Sequence, residues 1–191
     1  MSMLYVLKPH KDHILRPLSM VFLAAGISPN MVTAFGLIMS AAAGMLALSG
    51  HLYIGIFLFM IGACCDAIDG SFARACGMCS EFGKYFDSYS DRFSELVLIT
   101  GAVMGGVPVS AFLVAAGSLL LLASRTYNHR KGLNSDAAMF GRPERLALLI
   151  TGLLFHDPYG TVLFAIAFLL CLVSSVQVLA SGAGKKIVSR G

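Results

Sequence analysis

Four aspartates, Asp66, Asp69, Asp87 and Asp91, stand within runs of apolar sequence. The first two are three residues apart and the last two four apart, so on a helix each pair shares one face. A carboxylate at membrane depth costs on the order of 3 kcal/mol or more. A cluster of carboxylates there needs a balancing charge, and a bound divalent cation is the simplest one. Carboxylate oxygens are hard ligands, which favours Mg2+, Mn2+ or Ca2+ over zinc. The natural co-ligand of such an ion is phosphate. Metal-assisted chemistry on a phosphate or pyrophosphate is therefore the first expectation.

The residues around the acids run Asp66-Ala67-Ile68-Asp69-Gly70-Ser71-Phe72-Ala73-Arg74, with Gly83, Asp87 and Asp91 following at steps of four. Asp66, Asp69, Gly70 and Ala73 form one helical stripe, and Gly83, Asp87 and Asp91 form another. The connection between them is short, which makes the helices antiparallel neighbours whose stripes can face each other. Carboxylate metal sites in helix bundles are built in this way. The small residues let a ligand or a second helix approach closely, and Arg74 is placed to pair with a carboxylate or a phosphate. No Ser/His or Cys/His pair accompanies the cluster, so direct attack by an acceptor hydroxyl is preferred to a covalent enzyme intermediate. A carboxylate within reach takes the hydroxyl proton. Asp91, last in the series and deepest along its span, is the choice for that base.

The elements that must hold these residues are membrane helices. The chain has 191 residues, 57% hydrophobic and only 13% charged, and its mean hydropathy is +0.80. A soluble domain would carry about 25% charged residues. The composition predicts an all-α polytopic membrane protein forming a single domain over 1–191. Apolar runs of about 20 residues fall at 31–50, 52–76, 82–105, 108–129, 142–157 and 160–182, the fifth being short. Turn signals separate them at Ser49-Gly50-His51, Gly105-Gly106-Val107-Pro108 and His156-Asp157-Pro158. The reading is an N-terminal amphipathic interfacial helix within 1–30, a six-helix bundle over 31–182 and a tail over 183–191.

None of the 14 Lys and Arg lies in those three turns, which puts both termini and the aspartates on the cytoplasmic side. The net charge is only +4 and is dispersed, so nucleic acid is not an expected partner. Cys76 and Cys79 lack the two further ligands of a structural zinc site. A second polar cluster carries five Lys and Arg between Arg125 and Arg145. It reads either as charge touching lipid headgroups or as a pocket for an acceptor bearing its own phosphate. A divalent-cation transporter is the rival class, but it would be expected to show an internal repeat and does not need Arg74 or the basic cluster.

The acid spacing resembles the signature of the CDP-alcohol phosphotransferase family, D-x2-D-G-x2-A-R-x8-G-x3-D-x3-D, at every fixed position of residues 66–91. Pro29-Asn30-Met31-Val32-Thr33 is similar to a less specific element of the same family. The resemblance implies transfer of a phosphoalcohol group from a CDP-alcohol to an acceptor hydroxyl with release of CMP. It implies that Asp66, Asp69 and Asp87 hold Mg2+ or Mn2+, two ions in all, with Asp91 a ligand or neighbour of the second ion and also the general base. It assigns the CDP part to Pro29, Asn30, Thr33, Asp66, Asp69, Gly70, Ala73, Arg74 and Gly83, and it implies a homodimer.

Arg142-Pro143-Glu144-Arg145-Leu146 is similar to a stretch of the family's phosphatidylinositol-phosphate and archaetidylinositol-phosphate synthase branch. That branch implies CDP-diacylglycerol or CDP-archaeol as donor and inositol 1-phosphate as acceptor. The acceptor phosphate would lie on Arg142 and Arg145, with Arg125 and His129 upstream, and Glu144 would be structural. Glycerol 3-phosphate and serine are the rival acceptors.

Overall fold

The computed structural model describes residues 29–75, 81–133, 140–155 and 157–184, with side chains except at 29–30, 67, 69–75, 81–85, 87–88 and 182–184. The expected interfacial helix lies outside these residues, as does most of the C-terminal tail. The described residues form α1 (Pro29–Leu48), α2 (Leu52–Ala75), α3 (Glu81–Met104), a 3-10 turn (Val109–Ala111), α4 (Phe112–Arg130), α5 (Arg142–Leu154) and α6 (Tyr159–Gly184). They contain no β-strand. The chain divides into two compact units, one ending at Val107 and the other beginning at Pro108.

In the first unit α1 packs against both α2 and α3. Its contact face carries Gly36, Ser40, Ala43, Gly44 and Ala47, and the partners answer with small residues. A β-carbon at Gly62 of α2 would stand 3.0 Å from the Gly36 carbonyl oxygen, and one at Gly55 would stand 2.7 Å from that of Ala43. On the other side, a β-carbon at Gly101 of α3 would overlap the Gly44 carbonyl oxygen, and one at Gly105 that of Ala47. The backbones therefore touch directly, which is how helices associate where lipid removes the hydrophobic drive. The contact pairs run oppositely along α1 and α2 but in step along α1 and α3, so α2 is antiparallel and α3 parallel to α1. Phe59, Leu98 and Ile99 complete the buried interior.

In the second unit α6 packs against α4 and α5. The fully buried Phe164 ring lies against Gly152 of α5, where no side chain could stand. Gly117 of α4 makes the matching room for Cys171. The positive-φ glycines Gly50, Gly106 and Gly132 end α1, α3 and α4 in the same manner. In each case the glycine and the residue after it donate backward to carbonyls of the last turn, as Gly132 does to His129 and Leu133 to Asn128. Only glycine reaches that conformation without strain.

Helix bounds follow the expected spans closely, except that Pro108 starts a 3-10 turn and delays α4 to Phe112. Among the described residues, by length and composition alone, three helices suffice to cross a membrane, within Met31–Leu48, Val109–Arg130 and Tyr159–Ser181, and Leu52–Asp66 is a shorter apolar stretch. α3 is interrupted by charge and α5 has 13 residues. Large side chains such as Phe57, Leu169 and Val176 are exposed. That surface suits lipid and would be a liability in water.

Candidate active site

Asp66 stands near the C-terminal end of α2 and is half-buried. Its carboxylate lies beside α1, since a β-carbon at Gly36 would be 3.9 Å from Asp66 Oδ1. Thr33, buried and one turn before Gly36, belongs to the same face of α1. Asp91 is also buried, at 5% exposure, in the first half of α3. The in-step pairing of α1 and α3 puts the Asp91 turn level with the first turns of α1. The antiparallel pairing puts the Asp66 turn at that same end. The first unit thus gathers Thr33, Asp66 and Asp91 at one end of three packed helices, and Asp69 and Asp87 belong to the same helices one turn away.

The side chains of Asp69, Arg74, Ala73 and Asp87, and those of Pro29 and Asn30, lie outside those described, as do the surroundings of Gly70 and Gly83. No three His, Cys, Asp or Glu side chains converge among the described residues. The donor chemistry nonetheless fits a hard divalent cation, because the acids supply only oxygen.

Arg92, which sequence reasoning did not single out, is buried beside Asp91, and its Nη1 donates to Asp91 Oδ2 at 3.4 Å. The available signal was a basic residue next to an acid inside an apolar helix. Glu95, one turn beyond Asp91 on α3, is buried at 1% exposure, and Ser90 and Ser94 are buried on the same helix. A run of buried polar groups of this kind needs counter-charges or hydrogen bonds to be tolerated.

The basic cluster lies in the second unit. Arg125 and His129 are on α4, one turn apart, and Arg142 and Arg145 open α5. Arg145 is fully buried, Arg125 and Arg142 are partly so, and His129 is exposed. Gly141 precedes α5, and its N–H donates to Glu144 Oε2 at 3.0 Å, so Glu144 caps the helix start. Two further hydrogen bonds tie this region to α6. Asn128 Nδ2 donates to the Val178 carbonyl, and the Phe140 N–H donates to Ser174 Oγ at 3.1 Å.

Among the described residues three helices are long and apolar enough to cross a membrane, and the aspartates stand on two others, α2 and α3. The CDP-alcohol phosphatidyltransferase family profile matches residues 26–185, and the chain belongs to that family. It is a multi-pass membrane protein and a transferase of phospholipid synthesis. It is 32% identical to the phosphatidylinositol phosphate synthase of Mycobacteroides abscessus, over 77% of this chain and 71% of that one. It is 31% identical to the archaetidylinositol phosphate synthase of Pyrococcus horikoshii, over 81% and 84% of the two chains. The fold is similar to that of Mycobacterium tuberculosis phosphatidylinositol phosphate synthase. The crystal structure of that enzyme with CDP-DAG bound gives a TM-score of 0.77 at 22% identity, covering 94% of this chain and 98% of that one. A second structure, in complex with manganese and citrate, gives 0.69 at 24% identity, covering 93% and 90%.

Proposed function

We propose that this enzyme transfers the phosphatidyl or archaetidyl group of a CDP-linked lipid to a hydroxyl of inositol 1-phosphate and releases CMP. The observation that carries the reading is the pairing of the eight-position signature with the helix packing that brings the Asp66 and Asp91 turns to one end of α1. Asp66, Asp69, Asp87 and Asp91 would hold Mg2+ or Mn2+, two ions in all. Bound there, the metal supplies charge neutralisation at the pyrophosphate. Pro29, Asn30, Thr33, Gly70, Ala73, Arg74 and Gly83, with Asp66 and Asp69, bind the CDP part. Asp91 takes the proton of the acceptor hydroxyl. The new bond forms between that oxygen and the lipid-side phosphorus, the bond from that phosphorus to CMP breaks, and CMP leaves with the electron pair. Arg92 holds Asp91 in place between turnovers.

The acceptor assignment is supported by the basic residues Arg125, His129, Arg142 and Arg145 and by the names of the relatives. An acceptor with its own phosphate uses several such residues more fully than serine, which offers one carboxylate. The CDP-lipid assignment is supported by the bound CDP-DAG of the tuberculosis enzyme, and the metal by its manganese complex. The same reading carries six membrane spans, an N-terminal interfacial helix, a cytoplasmic site and a homodimer.

The test is CMP release by purified protein, with CDP-diacylglycerol or CDP-archaeol, Mg2+ or Mn2+, and each acceptor in turn. Release with inositol 1-phosphate alone, abolished by EDTA, is the expected result. Release with glycerol 3-phosphate or with serine would replace the acceptor. No release with any acceptor, together with cation flux in proteoliposomes, would replace the enzyme reading by a transporter.

A further inference from the structure

The two basic segments of the second unit are separated in sequence, yet both are tied to one stripe of α6. Asn128, buried at 1% exposure, sits in the last turn of α4, one residue before His129 and three after Arg125. Its side chain donates to the Val178 carbonyl, and its own carbonyl accepts the N–H groups of Lys131 and Leu133. One residue therefore fixes α4 to α6 and also sets the direction in which the chain leaves α4. Ser174, buried at 1% exposure, stands one turn before Val178 on the same face of α6. Its hydroxyl accepts the Phe140 N–H at 3.1 Å, two residues before Arg142. Gly141, next in the chain, is then held by Glu144 as α5 begins. Polar side chains in an apolar interior are costly unless they are used. Here they fix where one basic segment ends and where the next begins.

We infer that Asn128 and Ser174 are positioning residues for acceptor binding, with the Ser174–Val178 stripe of α6 as the common reference. Neither is a catalytic residue, and each acts through the arginines beside it. The inference rests on the proposed acceptor role of Arg125, His129, Arg142 and Arg145. A lost neutral hydrogen bond in this position misplaces an arginine without removing it, which should raise the acceptor KM about fivefold. The CDP-lipid KM should stay within about twofold, because the residues assigned to that substrate lie on α1, α2 and α3.

The experiment is steady-state CMP release by full-length protein carrying Ser174→Ala, Ser174→Thr, Asn128→Asp or Ser175→Ala, with both substrates varied. Ser175→Ala is the control, since Ser175 is also buried but its hydroxyl donates only to the Cys171 carbonyl of its own helix. Ser174→Ala and Asn128→Asp should raise the acceptor KM alone. Ser174→Thr should restore it by restoring the hydroxyl, and Ser175→Ala should leave it unchanged. Equal rises in both KM values, no change in either, or failure of Ser174→Thr to rescue would overturn the inference. The acceptor varied is whichever one supports turnover by the wild type. Comparing inositol 1-phosphate with inositol on wild-type protein separately decides the reading of the acceptor's phosphate.

Discussion

Asp91 and Arg145 are buried ionisable side chains to which the proposal gives different tasks, proton removal and phosphate binding, and substitutions can separate them. Asp91→Asn keeps size and polarity and removes the base. Turnover should fall about a hundredfold or more while CDP-lipid binding persists, which equilibrium binding of a labelled CDP-lipid would show. Loss of that binding would make Asp91 chiefly a metal holder. Arg145 has no exposed surface, so truncation to alanine would confound packing with binding. Arg145→Lys keeps the charge and loses the planar fork. It should raise the KM for inositol 1-phosphate about tenfold and leave that for the CDP-lipid in place. Equal effects on both would remove Arg145 from the acceptor pocket. The acids were legible in the sequence because fixed helical gaps survive without knowledge of the fold. Asn128 and Ser174 were not, because their partners lie 50 and 34 residues away and a polar residue in an apolar run carries no mark of its partner.

Helix bounds were legible where glycine punctuates. Ser49-Gly50 and Gly105-Gly106 announce the ends of α1 and α3, and Gly50 and Gly106 take positive φ values of 82° and 107°. The start of α4 was not legible, since Pro108 suits either a helix start or the 3-10 turn that forms. The seam along α1 was visible only as scattered small residues, and the structure shows their purpose. Gly101→Val would drive a branched side chain into the Gly44 carbonyl of α1. The thermal midpoint in detergent should drop by roughly 5 °C or more, and activity should fall with it. Thr100→Val, on the exposed side of the same turn, should do neither. A Gly101→Val protein as stable as wild type would mean that α1 and α3 do not touch through their backbones.

For the molecule as a whole, the distribution of charge predicts sidedness. Cysteines introduced at Gly106 and Asp157, in a background without the five native cysteines, should react with a membrane-impermeant maleimide added to intact cells. One at Lys131 should react only after permeabilisation. Labelling of Gly106 and Lys131 from the same side would break the six-span reading. Metal removal acts at this scale too. EDTA should abolish CMP release, Mg2+ or Mn2+ should restore it, and Zn2+ should restore it less, as the proposed carboxylate ligands favour a hard cation.

The shortness of α5 has a consequence for the surrounding bilayer. Its 13 residues reach about 20 Å, some 10 Å less than the hydrocarbon thickness of a typical membrane. If α5 is the fifth span of the proposed six, lipid beside it would thin, or headgroups and water would follow the helix inward. In that reading the polar side of the dent is the charged start of α5, where Arg142 and Arg145 stand. In the proposed reaction a water-soluble sugar phosphate and a donor anchored by its acyl chains meet across a polarity boundary. A local depression of that boundary lets the soluble partner descend while the lipid stays in its leaflet.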